Sequence, residues 1–402
     1  MSLYWVEFIV KSLITLVFSI KYVATFTLLM MSVQILWVEG FMVSIPKVVY
    51  MCLSPLLLLA LSPKCSKAVV LSILFWGVTF LLNRIQFDNQ RLSTFYYTAM
   101  FLSVFCLFYN LVWEEHCYEL DDFLRVVKTV IFAYTVCIVL QQLAMLAGWR
   151  YFPLFNLMNR SWQSLSRLNS LAIEPSHAAR ILTVYFYAFL KLTEYKTGHP
   201  ISLKEIYTEY KWPVIAFLYT MLAMGSGTAM VGLAILSLYF LKKQYVVGFL
   251  AFAVIFYILA PKVDYEPLNR AVTTFEAALT MDEEEIIEAD RSASTRANVI
   301  LSIKYTDLSD MQTWFGHGID ASMMANKRVT HMAIYDYGLI SYLLKLFMFF
   351  TCSLCGIISL STLMFILLFS MNVGNIAYGF ACLMIFSAIK YFSNTFRTKY
   401  IL

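Results

Sequence analysis

Apolar stretches close to the length that crosses a bilayer recur through this 402-residue chain, and that recurrence restricts the fold more than any motif does. A segment of about 20 residues with few charges spans lipid as a helix, because its backbone N–H and C=O groups find no water to bond there. The candidate spans are 22–38, 46–61, 67–83, 93–112, 125–147, 174–192, 211–225, 227–241, 244–260, 335–352, 353–371 and 374–391. Residues 4–20 are apolar too, but contain Lys11 and end at Lys21, which suits a helix lying in the membrane interface; a first span is the alternative. Composition agrees, with 60% hydrophobic residues, only 14% charged and a mean hydropathy of +0.71. A soluble domain is roughly a quarter charged. The expected fold is an all-α polytopic membrane protein of about twelve transmembrane helices with one large, partly helical extracytoplasmic loop. Residues 1–260 hold the amino-terminal interfacial helix and nine spans, 261–334 the loop, and 335–402 three spans and a cytoplasmic tail. No short apolar region followed by an A-x-A cleavage site opens the chain, so its first hydrophobic segments are expected to be retained.

Charge sets the expected orientation. With the amino terminus inside, Lys11, Lys21, Lys64, Lys67, Lys128, Lys196, Lys204, Lys211, Lys242 and Lys243 fall in or beside short cytoplasmic loops, and Lys390, Arg397 and Lys399 in the tail, as the positive-inside rule requires. Lys47 and Lys345 fit less comfortably, the second lying well inside a span without an evident partner. The net charge of +5 is thus topological, and no nucleic-acid partner is expected. Arginine divides differently. Arg84, Arg91, Arg150, Arg160, Arg167, Arg180, Arg270, Arg291, Arg296 and Arg328 all fall on or near the outer side. A guanidinium fork binds phosphate or carboxylate oxygens in a bidentate way that an ammonium cannot, so this face points to an anionic, phosphorylated ligand. Interfacial anchoring is the plainer account of any one of them alone.

Two segments concentrate chemistry. The first is Arg167 to Arg180, RLNSLAIEPSHAAR, which places ionisable groups at the mouth of a span. The second is the loop 261–334, with Arg291, Arg296, His317 and His331. Its acidic run from Asp282 to Glu285 lacks the spaced ligands of a calcium loop and suits a solvated helix start, so no metal site is expected. Gly316 and Gly318 flank His317 and allow a close backbone approach to a ligand. Between the segments, Gly225-Ser226-Gly227-Thr228 divides two short spans, a break suited either to lining a cavity or to close helix packing. The eight cysteines lie in spans or cytoplasmic loops, so no disulfide framework is expected; Cys352-x-x-Cys355, inside an apolar stretch, reads as packing. There is no phosphate-binding loop, nucleophile elbow or dinucleotide fingerprint, and no cofactor is expected.

The order of these features resembles the Wzy-type O-antigen and capsular polysaccharide polymerases, members of the O-antigen ligase/polymerase superfamily. The resemblance is carried by R-x-x-S-x-x-x-E-P-S at Arg167 to Ser176, by the short span pair around Gly225, by Arg291 and Arg296, and by W-F-G-H-G-I from Trp314 to Ile319. His331 and Y-G-L-I-S-Y from Tyr337 to Tyr342 complete it. It covers about the carboxyl-terminal 60% of the chain. The turn between the short spans departs from the pattern, with Gly227-Thr228 where relatives often place an arginine.

The resemblance implies a glycosyltransferase in the bacterial cytoplasmic membrane, active at the extracytoplasmic face. Its donor and acceptor are glycan repeat units on undecaprenyl pyrophosphate, it uses no nucleotide, and chain-length regulator and flippase proteins join membrane lipids as its partners. Such chemistry needs cations for the pyrophosphate, a base for the acceptor hydroxyl and a dry groove for the lipid chains. Arg167, Arg180 and Arg291 are the candidate pyrophosphate and glycan ligands with His317, Gly316 and Gly318, and Arg296 acts at the reacting centre. His331 or Glu174 is the candidate base. Asp336 is placed to orient the His331 ring, while Glu174 has the alternative of capping its helix or pairing with Arg180. His177, a helical turn from Arg180, reads as structural. Two other readings stand beside the polymerase: a ligase moving finished polymer onto lipid A core, and, with less support, a transporter of an anionic glycolipid.

Overall fold

The computed structural model describes residues 20–34, 44–85, 92–149, 165, 167–241, 303, 306–324, 332–374 and 376–401, and no strand occurs among them. A helix occupies every expected span except 244–260, which lies outside the described residues, as do 1–19 and most of the loop. The helices are α1 (Ile20–Ser32), α2 (Ile45–Leu61), α3 (Lys67–Ile85), α4 (Leu92–Trp113), α5 (Leu120–Leu146), α6 (Pro175–Thr197), α7 (Leu203–Thr208), α8 (Lys211–Ala223) and α9 (Gly227–Ser237). They continue as α10 (Met311–Phe315), α11 (Ala321–Met324), α12 (Met332–Cys352), α13 (Leu360–Phe369) and α14 (Ala377–Ile401). Three stretches, Ser93–Trp113, Leu120–Leu146 and Met332–Cys352, are each long and apolar enough to cross a membrane, and several shorter apolar helices accompany them.

Local chemistry sets the boundaries. Proline occupies the first turn of α2 and of α6, where its missing N–H costs nothing. Helix α6 stops at Gly198, whose φ of 78° is the left-handed conformation that closes a helix at small cost only for glycine. Ser202 and Glu205 form a reciprocal capping box on α7, and the Ser359 hydroxyl accepts the Thr362 N–H to start α13. Helix α13 therefore begins seven residues later than the apolar stretch 353–371 suggests, after the Ser- and Gly-bearing segment 353–359.

The helices run alternately between two ends of one bundle. At the first end Lys21 pairs with Asp122 at 2.5 Å, Lys64 with Glu115 at 3.2 Å and Lys196 with Asp121 at 2.6 Å. The Tyr239 hydroxyl donates to Glu194 there, and the Lys390 ammonium donates to the Phe350 and Thr351 carbonyls at the end of α12. We call this the lysine end. At the opposite, arginine end, Gln34 N–H bonds the Leu171 carbonyl, Arg167 N–H the Ala223 carbonyl, and Ile319 N–H the Asn83 side chain. Rows of exposed Leu, Ile and Val, such as Leu53, Leu56 and Leu59 on α2 and Val136, Leu140 and Leu143 on α5, cover the outside between the ends. Water tolerates such faces poorly and lipid does not oppose them.

Helix α6 is the axis of the bundle. Every residue from Ile181 to Leu190 is buried, against α5, α9 and α14. Its polar groups are satisfied internally: Thr183 and Thr193 donate to carbonyls four residues back, and Tyr185 meets Ser32, whose carbonyl accepts the Tyr134 hydroxyl. Helices α8 and α9 form a hairpin against this axis. Phe217 of α8 stacks on Phe186 with centroids 4.0 Å apart, and Thr220 and Thr135 share a hydrogen bond of 2.8 Å. Gly232 lets α9 lie directly on Thr183, since a Cβ there would strike the Thr183 hydroxyl. The glycine-bearing turn before α9 sits at the arginine end.

Candidate functional site

Five of the six non-glycine residues with left-handed backbone among the described residues lie at the arginine end: Arg167, Ser170, Asp320, Ser370 and Met371. Such conformations persist only where surrounding contacts impose them. For Arg167, with φ 83°, and Ser170, with φ 51°, those contacts are explicit. The Gln141 amide, fully buried on α5, bonds both Ser170 backbone groups at 3.0 Å, and the Ser170 hydroxyl donates to the Tyr134 carbonyl at 2.7 Å. Asn169 donates to the Ala172 carbonyl at 2.6 Å, Gln34 N–H, two residues past the end of α1, holds Leu171 at 2.7 Å, and α8 holds Arg167 at 3.1 Å. Helices α5 and α8 and the residues after α1 thus clamp 167–172 into one conformation and deliver the chain to α6.

Glu174 is the residue before α6, with extended backbone. Its carbonyl accepts His177 and Ala178 N–H, but its carboxylate makes no capping bond to the first turn, so the capping role is not adopted. One turn on, Arg180 donates from an Nη to the Tyr378 hydroxyl at 2.7 Å, and its guanidinium lies 5.6 Å from that ring's centroid. The His177 ring stacks on the same tyrosine, 4.3 Å away and tilted by 24°. The structural reading of His177 fits this position, and Tyr378 supplies the platform shared by both side chains. The Arg180 Nε is buried and has no hydrogen-bond partner among the described residues.

The second segment forms a strap across α12. Asp310 caps α10 through the Gln312 N–H at 3.0 Å, and Trp314 Nε1 donates to the Leu308 carbonyl. Just ahead, the exposed Asp307 accepts both the hydroxyl and the N–H of Ser309, which hold its carboxyl below the usual range. His317 N–H then bonds the Tyr335 carbonyl at 2.8 Å and Gly318 N–H the Asp336 carbonyl at 3.2 Å, while the His317 ring stacks on Tyr335 at 3.8 Å. The strap also reaches α3 and α4, through Asn83 to Ile319 N–H at 2.9 Å and Thr94 to Asp320 at 2.6 Å.

The strap meets α12 through backbone and through one carboxylate. At Gly316 the close approach is to the chain's own backbone. A Cβ on Gly316 would lie 2.6 Å from the Asp336 carbonyl and from Gly338 N, and one on Gly338 would strike the Trp314 carbonyl. Gly338, with φ 79°, is the kink that divides α12 and receives the strap. Asp336 anchors the strap as well. Its buried carboxylate accepts the N–H and the hydroxyl of Ser322, at 2.7 and 2.8 Å, which anchors α11. His331, Arg291 and Arg296 lie outside the described residues.

The structure therefore brings Arg167, Glu174, His177 and Arg180 to one end of the bundle, with Gly316, His317 and Gly318 at that same end on α12. Sequence reasoning missed Tyr378, Gln141 and Gly338. Gly338 had a signal, since a glycine within an aromatic helix start marks a break, but Tyr378 and Gln141 had none. No cluster of three or more metal-ligating side chains occurs among the described residues. No protein-family model, no curated protein and no solved structure matches this chain.

Proposed function

We propose that the protein is a nucleotide-independent glycosyltransferase that joins polyprenyl-pyrophosphate-linked oligosaccharide repeat units at the extracytoplasmic face of a bacterial cytoplasmic membrane. The observation that carries this reading is the clamped, strained segment 167–172 leading to Arg180 at the end of an apolar bundle opposite the paired lysines Lys21, Lys64 and Lys196. The positive-inside rule assigns the lysine end to the cytoplasm, which turns Arg167 and Arg180 outward.

The acceptor hydroxyl oxygen attacks the anomeric carbon of the donor glycan, and the bond from that carbon to the pyrophosphate oxygen breaks. The hydroxyl proton passes to His331 or Glu174. Negative charge grows on the departing polyprenyl pyrophosphate, where guanidinium groups held by rigid backbone are most effective because they need not reorganise. Arg167 and Arg180 supply this from the first segment, and Arg291 and Arg296 from the loop. The buried, unbonded Nε of Arg180 supports the assignment, since a phosphoryl oxygen is the kind of acceptor it lacks.

The test incubates purified protein in lipid nanodiscs with a synthetic lipid-pyrophosphate repeat unit and no nucleotide. Lengthened glycan with matching release of polyprenyl pyrophosphate is expected. Extension of a supplied lipid A core acceptor alone identifies a ligase, and vesicle uptake of intact glycolipid without bond transfer identifies a transporter.

A further inference from the structure

Helices α5 and α8 both run from the lysine end toward the arginine end, where Gln141 of α5 holds Ser170 and the Ala223 carbonyl of α8 holds Arg167 N–H. Thr135 donates to the Ala216 carbonyl at 3.1 Å and accepts from Thr220 at 2.8 Å, so the two helices meet along a seam. Each side of that seam carries an exposed apolar stripe: Phe132, Val136 and Leu140 on α5, and Trp212, Ile215 and Leu222 on α8. Both stripes begin at a cation. Lys128 precedes Phe132 by four residues, on the same helix face, and Lys211 directly precedes Trp212.

The Lys128 ammonium reaches across the mouth of the seam. It lies 5.6 Å from the ring centroids of both Phe189, on α6, and Tyr210, the residue before α8. Those rings meet edge to face at 5.7 Å and form a floor that holds the cation without consuming its charge. Lys196 is close enough to repel it, and Asp121, the carboxylate that acts on Lys128, is bonded to Lys196 at 2.6 Å. Arg125 is exposed one turn nearer the end of α5, and Glu209 is exposed beside Tyr210. Glu205 is engaged by Ser202 in the α7 capping box. Cations therefore outnumber carboxylates at this corner, and Lys128 is only half-buried, within reach of a partner from outside.

A partner that fits is anionic at one end and apolar along its length. A phosphate beside Lys128 and Lys196 relieves their repulsion, and Lys211 borders the same mouth. The α8 stripe from Trp212 to Leu222 is about 15 Å long at the helical rise, the depth of one leaflet of a hydrocarbon core of roughly 30 Å. Trp212, 65% exposed, stands at the top of that stripe, where an indole marks the boundary between headgroups and chains. We propose that this corner is a binding site for an anionic phospholipid of the leaflet at the lysine end, with its phosphate among the lysines and its acyl chains along the seam. Nothing in this site depends on the glycosyl transfer proposed above.

The test titrates delipidated full-length protein in detergent with phosphatidylglycerol, phosphatidylcholine and glycerol 3-phosphate, and counts bound molecules by native mass spectrometry. One phosphatidylglycerol per chain is expected to bind roughly tenfold more tightly than phosphatidylcholine, whose choline the same cations repel. Lys128→Met, which keeps an apolar stem on the two rings, should remove that preference, and Lys128→Arg should retain it. Lys211→Met, at an exposed position, should weaken it in the same direction and serves where Lys128→Met does not fold. Lys67→Met removes equal charge from the start of α3 at the same end and should leave the preference intact. Equal affinity for the two lipids in the parent overturns the site. Equal losses in Lys128→Met and Lys67→Met also overturn it, because the attraction is then spread over the whole end. Glycerol 3-phosphate binding as tightly as phosphatidylglycerol overturns the role of the seam and leaves a site for a soluble anion.

Discussion

Arg180 and Tyr378 are 198 positions apart, yet one hydrogen bond of 2.7 Å fixes the guanidinium on which the proposed chemistry turns. Tyr378→Phe removes that bond and keeps the ring beneath His177. A hydrogen bond to a charged group contributes about 1.5–3 kcal/mol, so glycan extension should fall roughly tenfold or more with little change in melting temperature. Arg180→Ala should cost about 100-fold or more in turnover, as loss of one donor to developing charge does elsewhere. Equal extension rates for the parent and Arg180→Ala would remove Arg180 from the site. The arginine itself was legible in the sequence, because an ionisable residue opening an apolar span is a costly choice. The tyrosine was not, since an aromatic residue at a span mouth is ordinary and nothing local names its partner. The same limit applies to Lys345. Its cost was visible, but Asn372, whose side-chain oxygen accepts its hydrogen bond across 27 positions, was not.

Among elements, the strap over α12 and the segment before α6 show how rigid backbone is made at the arginine end. Gly316 and Gly338 meet backbone to backbone, so Gly316→Ala and Gly338→Ala should each destabilise by about 2 kcal/mol or more, through strain at positive φ and through collision. The collision is shared but the strain at each positive φ is not, so the double variant should cost more than either single one and less than their sum in thermal unfolding. Gln141→Leu should orphan the N–H and C=O of Ser170, at about 1–3 kcal/mol for each group, and abolish activity by releasing Arg167. Helix positions were largely legible, since hydropathy marks apolar stretches and Pro, Gly and Ser mark their ends. The late start of α13 was not, because Cys355 to Ile358 are as apolar as a span and only the Ser359 cap separates them from it. Gly316 does lie against another backbone, but glycine reports space without saying what fills it.

For the whole molecule, the alternation of helices between two ends makes topology testable. Cys65 is exposed at the lysine end, beside the Lys64–Glu115 pair. Leu165 is exposed beside the arginine segment. A membrane-impermeant thiol reagent added to intact cells should label Leu165→Cys and leave Cys65 unlabelled until the membrane is opened. The reverse pattern would turn Arg167 and Arg180 inward and end the proposed chemistry at the outer face. The end that gathers Lys21, Lys64 and Lys196 was legible from sequence, because loop charge follows simple membrane rules. The enclosure of α6 was not, since a stretch with buried tyrosines, threonines and Arg180 reads as an ordinary span from its apolar residues alone.

That enclosure bears on how the chain is made. Helix α6 is not among the helices apolar enough to cross on their own, and it is shielded on one side by α14, whose codons are translated some two hundred positions later. During synthesis, α6 leaves the ribosome before its permanent wall exists, so the insertion machinery or the earlier helices must shelter it until the last helix arrives. A nascent chain halted short of α14 should expose that unfinished side and become a substrate for membrane quality-control proteases.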